Sequence, residues 1–356
     1  MGNRAILLSA AILLIINSCK QDDPEPTPDD ATLEVQILTD FANVVANPNY
    51  IDVESKAVTL NNAVETLNNS TTDANLDAAR TAWRNVRQPW EQCEAFLFGP
   101  VEDFNYDPTM DDWPVNHVDL DSLLASSNPL SLSDIEALPT SLKGFHPMEY
   151  ILFGVGGSKT AAQLTDREKE YLASLTQSLM NTTTALCSSW DVSQSGNFTN
   201  ELLTAGDGST RYSTRKDAFI TIATAMAGIC DEVANGKMEE PLFNQDSTLE
   251  ESQFSHNSTT DFKNNITGVL NVYLGKYFTD GHGLNELVAS KNLSLDNTLQ
   301  SQINIAISSF DNIDSNYGAA IYSQQVQIHN AQDAINALKE TIEGDLMDFI
   351  VNNIKD

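Results

Sequence analysis

The chain has 356 residues, and its 50 acidic residues against 19 Lys and Arg leave a formal charge of −31. That surplus argues against nucleic acid as a partner and against adhesion to anionic lipid surfaces. With 41% hydrophobic residues, the length suits one large or two ordinary globular domains.

Residues 1–18 read as a lipoprotein signal peptide, with Arg4 followed by an apolar stretch from Ala5 to Ile16. The stretch is short for a membrane span and suits a signal-peptide core. It ends in Ile16-Asn17-Ser18-Cys19, a lipobox-like pattern, so cleavage before Cys19 and lipidation of its thiol are expected. Residues 19–31 form an acidic tether in which Pro24, Pro26 and Pro28 stand among acids, with no large apolar residue to pack. An acidic run directly after such a cysteine resembles a surface-export signal of bacterial lipoproteins. The expected location is therefore the cell envelope, at the outer membrane, through a lipid anchor only and on either face. Cys93, Cys187 and Cys230 remain, too widely spaced for a Cys-x-x-Cys pair and expected as free thiols.

Beyond the tether the apolar spacing is helical and shows no strand pattern. Residues 33–46 and 51–68 read as two helices separated by Asn47-Pro48-Asn49, and 73–98 as a third. Residues 99–142, which hold Pro100, Pro108, Pro114, Pro129 and Pro139, are expected to be irregular, and a loop of that length is often functional. Thr165-Asp166-Arg167-Glu168 is a capping box that opens a helix to about Ser188. Further helices are expected over 212–236, 261–277, 296–316 and 320–351. This predicts an all-α fold of two helical bundles, 32–190 and 211–356, joined by a Ser/Gly/Asn/Asp-rich linker over 191–210.

Two segments carry residues with chemistry. In Gly144-Phe145-His146-Pro147-Met148-Glu149, Pro147 suits a first helical turn, and His146 and Glu149 fall three residues apart on one side of it. An imidazole with a carboxylate suits iron, zinc or copper. A capping glutamate beside a structural histidine explains the same spacing. In the second segment, Trp83, Arg87, Trp90, Glu94 and Leu97 share one helical face, which places both signs of charge on an apolar surface. Either Arg87 forms a buried ion pair with Glu91 or Glu94, or Glu94 and Glu91 line a polar pocket beside His146. Neither a His-Glu-x-x-His zinc helix nor a nucleotide or Gly-x-Ser-x-Gly motif is present.

These residues resemble the imelysin (M75 peptidase-like) family. The resemblance is carried by Trp83, Arg84, Arg87, Pro89-Trp90-Glu91 and Glu94 through Gly99-Pro100. It continues in Trp113-Pro114, the Gly-x-His-x-x-Glu motif at Gly144, His146 and Glu149, Asp231-Glu232-Val233 with Lys237, and Glu251 to Asp261. It implies two bundles related by a pseudo-twofold axis, a site in the cleft between them, and a role in iron uptake or handling at the envelope. On that reading His146, Glu149 and Glu94 are metal ligands. Arg87 orients Glu94, Arg84 orients Glu91, and Trp90, Gly144 and Trp113 line the site. The metal is iron, with zinc or copper as alternatives, and the partner is an envelope iron transporter or a surface protein. An M75-type metallopeptidase and a non-catalytic binding module stay open as other readings. The motif supplies two obvious ligands where a catalytic zinc normally has three, so the balance leans away from an enzyme.

Overall fold

The computed structural model describes residues 30–314 and 316–354, so the expected signal peptide, Cys19 and nearly all of the tether lie outside the described residues. The described chain is all-α, and the one β-bridge among these residues joins Lys276 and Asp280. No helix among them is long and apolar enough to cross a membrane.

The first three principal helices are α1 (Asp30–Asp40), α2 (Asn47–Asn69) and α3 (Asp73–Cys93), the last capped by Thr72, whose side chain accepts from the Asn75 N–H. Pro48 was expected to end a helix. Instead α1 runs into α2 through a π-turn, Phe41–Ala46, and the rod is continuous. Proline has no N–H to return to the fourth carbonyl back, and its ring crowds that carbonyl. A wider turn relieves both, and the Asn47 N–H and side-chain amide both donate to Ala42 O, the latter at 2.9 Å. Residues 99–142 are likewise not structureless. Pro100 opens the helix Pro100–Asp103 and Pro108 stands in the first turn of Tyr106–Asp111, while His117–Ala125 and Leu132–Glu136 lie between prolines.

Helix α4 (Phe145–Phe153) begins beside Pro147, and α5 (Asp166–Trp190) carries the expected Thr165/Glu168 capping box. Within 191–210 lies the helix Phe198–Leu203, whose Thr199 hydroxyl donates to Trp190 O and accepts from Asn47. Helix α6 (Arg215–Asp231) opens with a Thr214/Asp217 capping box and ends in a second π-turn, Glu232–Lys237. Then come α7 (Ser258–Leu274), α8 (Leu293–Ser309) and α9 (Gln325–Thr341). The expected 320–351 helix is interrupted at Gln324, where φ is −130° and ψ is 35°. Two helices that the apolar spacing did not reveal are Glu239–Asn244 and Leu284–Lys291.

Helix α2 packs on α3 and α5, and α4 packs on α3 and α5. Helices α6, α7, α8 and α9 pack around one another, and α3 meets α7 across the boundary between the two sets. Trp83, Trp90 and Trp190 are fully buried, as are Cys93 and Cys230, and the three described cysteines are free thiols. The junction of α3 with α7 is where the polar residues collect.

Candidate metal centre

Two glycines allow the elements around the site to close. A Cβ on Gly268 of α7 would stand 2.1 Å from Gln92 O of α3, so only glycine permits this approach. The contact brings Asn265 Nδ2 to Glu91 Oε2 and Glu94 Oε2, each at 2.7 Å. Gly144, at φ +84°, precedes α4, and a Cβ there would meet Met110 O at 2.1 Å. That approach seats Asp111 against His146. Gly144→Ala is therefore expected to lower stability by about 2 kcal/mol or more, from left-handed strain and overpacking together. Thermal melting against Gly236→Ala, where a Cβ meets nothing within 4 Å, checks it.

Helix α3 presents Arg87 and Glu91 inward, the 3-10 turn that follows it (Glu94–Phe96) presents Glu94, and all three are buried. Arg87 pairs closely with Glu91 and Asp111, donates to Glu251 Oε1 at 2.9 Å, and has Nε 3.7 Å from Asp261 Oδ1. Lys237, which ends the second π-turn, places Nζ 2.9 Å from both Glu94 Oε2 and Glu251 Oε1. Trp90 Nε1 donates to Asp111 Oδ2 at 2.6 Å. His146 Nε2 lies 2.9 Å from Asp111 Oδ1, and its Nδ1 lies 3.2 Å from Glu149 Oε2. The other Glu149 oxygen accepts the backbone N–H groups of Phe254 and Ser255, at 3.0 and 2.7 Å.

The network is rich in negative charge. Glu91, Glu94, Asp111, Glu149, Glu251 and Asp261 are buried, and the cations among them are Arg87, Lys237 and, when protonated, His146. Burial pushes Glu91 and Glu94 well above the usual carboxylate range, with Glu251 adding to both. Burial likewise raises Asp261 to about 7 against the pull of Arg87. Burial opposes ionised Asp111 too, but Arg87 and His146 outweigh it and hold that carboxyl well below its ordinary value. Burial would lower His146; its hydrogen bonds to Asp111 and Glu149 win and raise it to about 9. Glu251 Oε2 and Asn265 Oδ1 are buried with no hydrogen-bond partner among the described residues.

Two sets of donor atoms converge, each with its atoms within 4.8 Å of one another: Asp111, His146 and Glu251, and Glu91, Glu94, Asp111 and Glu251. Asp111 and Glu251 belong to both. His146 and Glu94 of the sequence expectation thus sit on the two sides of one cluster. Glu149, expected as a ligand beside His146, is in neither set, because its oxygens are spent on two backbone N–H groups and the histidine. Its Oε2 faces the Nδ1 side of the His146 ring. Arg87 does not orient Glu94; Lys237 and Asn265 hold that carboxylate. Arg84 does not reach Glu91. It donates to Ser255 O at 2.9 Å and lies over the Phe153 ring at 4.5 Å. Trp113 is half-buried two residues beyond Asp111, where a cis bond joins it to Pro114.

Asp111, Glu251, Lys237 and Asn265 were not singled out as site residues from the sequence. For Glu251 and Lys237 a signal existed, since both fall in segments that carry the family resemblance. Asp111 lies just before Trp113-Pro114, one acid among many in a Pro-interrupted stretch.

The imelysin family model, a peptidase M75 family, matches residues 46–343. Iron-regulated protein A of Synechococcus elongatus is 30% identical, over 96% of this chain and 92% of its own length. Among solved structures, one from Parabacteroides distasonis, described as an iron-regulated protein A precursor, superposes with a TM-score of 0.80 at 26% identity, covering 90% of this chain and 95% of that one. An imelysin-like protein from Psychrobacter arcticum shares the fold, with a TM-score of 0.74 at 14% identity over 92% of this chain and 99% of that one.

Proposed function

This chain belongs to the imelysin family, and from that premise we propose that it is a lipid-anchored envelope protein that binds a metal ion, iron first, at the cluster centred on Asp111 and Glu251. The observation that carries the reading is the charge imbalance of a buried site. Six carboxyl groups converge on two permanent cations and one histidine, and the donor atoms of two ligand sets already lie within 4.8 Å of each other. An uncompensated buried carboxylate is costly, and a metal ion relieves that cost.

The residues present fit iron. The donors are carboxylate oxygens and one imidazole nitrogen, with no thiolate, which disfavours soft metals such as Cu(I). Asp111, Glu251 and His146, with Glu91 and Glu94, would hold the ion, and Glu149 would fix the ring of His146. Iron regulation, named in the cyanobacterial relative, supports iron over zinc. The lipobox-like sequence at Cys19 and the acidic tether support an outer-membrane anchor, from which the body delivers its ion to an envelope transporter or surface partner. A peptidase has less support, because His146 and Glu149 are 1% and 0% exposed and a polypeptide reaches neither unless the surrounding helices part.

Anaerobic calorimetric titration with iron(II) tests the reading. Asp111→Asn and His146→Ala are expected to weaken binding by at least tenfold, and Glu149→Gln by about tenfold, as for other residues that orient a ligand. Equal affinity in wild type, Asp111→Asn and His146→Ala rules the cluster out as the metal site.

A further inference from the structure

The two permanent cations of the cluster differ in how they are held. Arg87 is clamped by carboxylates on several sides, with a planar fork that suits such clamping. Lys237 is a single ammonium on a flexible stem. Its Nζ is 2.9 Å from Glu94 Oε2, 2.9 Å from Glu251 Oε1 and 4.0 Å from Glu91 Oε2. Those three glutamates, with Asp111, make up the four-carboxylate donor set. The ammonium therefore stands among the same oxygens that a metal ion would need.

A fourth carboxylate faces Lys237 from outside. Glu232 opens the π-turn that Lys237 closes, and its Oε1 lies 3.8 Å from Nζ. The Glu232 side chain is 55% exposed, whereas that of Lys237 is 1% exposed. One turn of backbone thus carries both the buried ammonium and an acidic partner on the solvent side of it. π-turns are frequent at functional sites, where the extra residue redirects side chains.

We propose that Lys237 is a tethered stand-in for the metal ion: it occupies the four-carboxylate set when the metal is absent and swings out to Glu232 when the ion enters. The inference rests on the metal-binding reading and adds to it the residue that sets affinity. Two cations cannot share oxygens in a dry site without strong repulsion. Metal binding therefore competes with Lys237, and the stand-in keeps the metal-free site from holding a bare cluster of negative charge.

Iron(II) titration of wild type, Lys237→Met and Glu232→Gln tests the proposal, with melting curves taken with and without metal. Lys237→Met is expected to bind iron at least about tenfold more tightly, because the competitor is gone. Its melting temperature falls in the metal-free state and recovers more than that of wild type when iron is added. A lysine with a purely structural role predicts the reverse, weaker binding. Glu232→Gln, a half-exposed change that leaves the buried network intact, is expected to bind several-fold more weakly, because the displaced ammonium loses its partner. If wild type binds iron and Lys237→Met binds equally or less tightly, the proposal falls and the metal reading stands. If wild type binds no iron, both fall. Should Lys237→Met not fold, unchanged affinity in Glu232→Gln overturns the proposal.

Discussion

Arg87→Met is expected to destabilise the metal-free protein by about 3–5 kcal/mol, the cost of removing one partner from a buried ion network. The side chain is 0% exposed and stands among Glu91, Asp111, Glu251 and Asp261, so the substitution takes a cation away from four buried carboxyl groups at once. Methionine fills much of the volume, so the loss reports charge, including the guanidinium's place over the Phe145 ring, rather than a cavity. Chemical denaturation in chelator-treated buffer measures it. Arg84→Met, three residues earlier, loses one hydrogen bond and one ring contact and is expected to cost about 1 kcal/mol. Similar losses in the two variants would mean that the Arg87 network is not what holds α3 to its neighbours. Iron added to Arg87→Met is expected to restore part of the stability, because a bound ion replaces some of the missing positive charge.

The same network explains which parts of the fold and site were legible in the sequence. Features written in adjacent residues were readable: the Thr165/Glu168 box, the helix beginning beside Pro147, and the apolar spacing of α6 and α7. Pro48 misled because a proline normally ends a helix, and the sequence around it does not show that a π-turn can absorb the missing donor. The short helices of 99–142 have too few residues for a periodic signal and are stabilised by what they pack against. In the site, Glu94 was visible as a charge on an apolar helix face, and His146 through its spacing to Glu149. Their partners were not, because Asp111, Lys237 and Glu251 arrive from segments with no local pattern of their own. The pairing of Glu94 failed for that reason: reading α3 alone offers Arg87 on the same face, whereas the cation that reaches Glu94 is Lys237, from beyond α6. Glu149 shows what spacing leaves out. Spacing puts it beside His146, where one oxygen does lie, and two backbone N–H groups more than a hundred residues away in sequence hold the other.

The excess of buried carboxyl groups also sets the sign of the pH dependence. Between pH 5.5 and 8.5 the metal-free protein is expected to lose stability as pH rises. Asp261 and Asp107, raised to about 7 by burial, and Glu250, raised by burial to about 8, keep protons in the folded chain that the unfolded chain has released above the ordinary carboxylate range. In that window the native state binds more protons, so stability falls with rising pH. His146 acts in the same direction. Its folded value of about 9 lies above the unfolded 6.5, so its contribution is complete below 6.5 and is lost as pH rises through 9. Asp111 opposes, but its value is depressed, so its contribution is already present above the unfolded carboxylate range and is lost only in strong acid. At 1.36 kcal/mol for each unit over which a proton is differentially held, each of these four groups contributes a loss of roughly 2–3 kcal/mol across the window. That corresponds to a fall in melting temperature of roughly 5 °C or more. Differential scanning calorimetry at pH 5.5, 7 and 8.5 in chelator-treated buffer measures it, and a melting temperature that is flat or rises across the series contradicts the charge reading of the site. Saturating iron(II) is expected to shallow the slope through His146 and the donor carboxylates, while Asp261, Asp107 and Glu250, which belong to neither donor set, keep their share. The ion binds the ionised cluster, so the stabilisation it brings grows with pH where the metal-free protein weakens. A slope that persists unchanged with iron would mean that none of the metal ligands takes part in the titration.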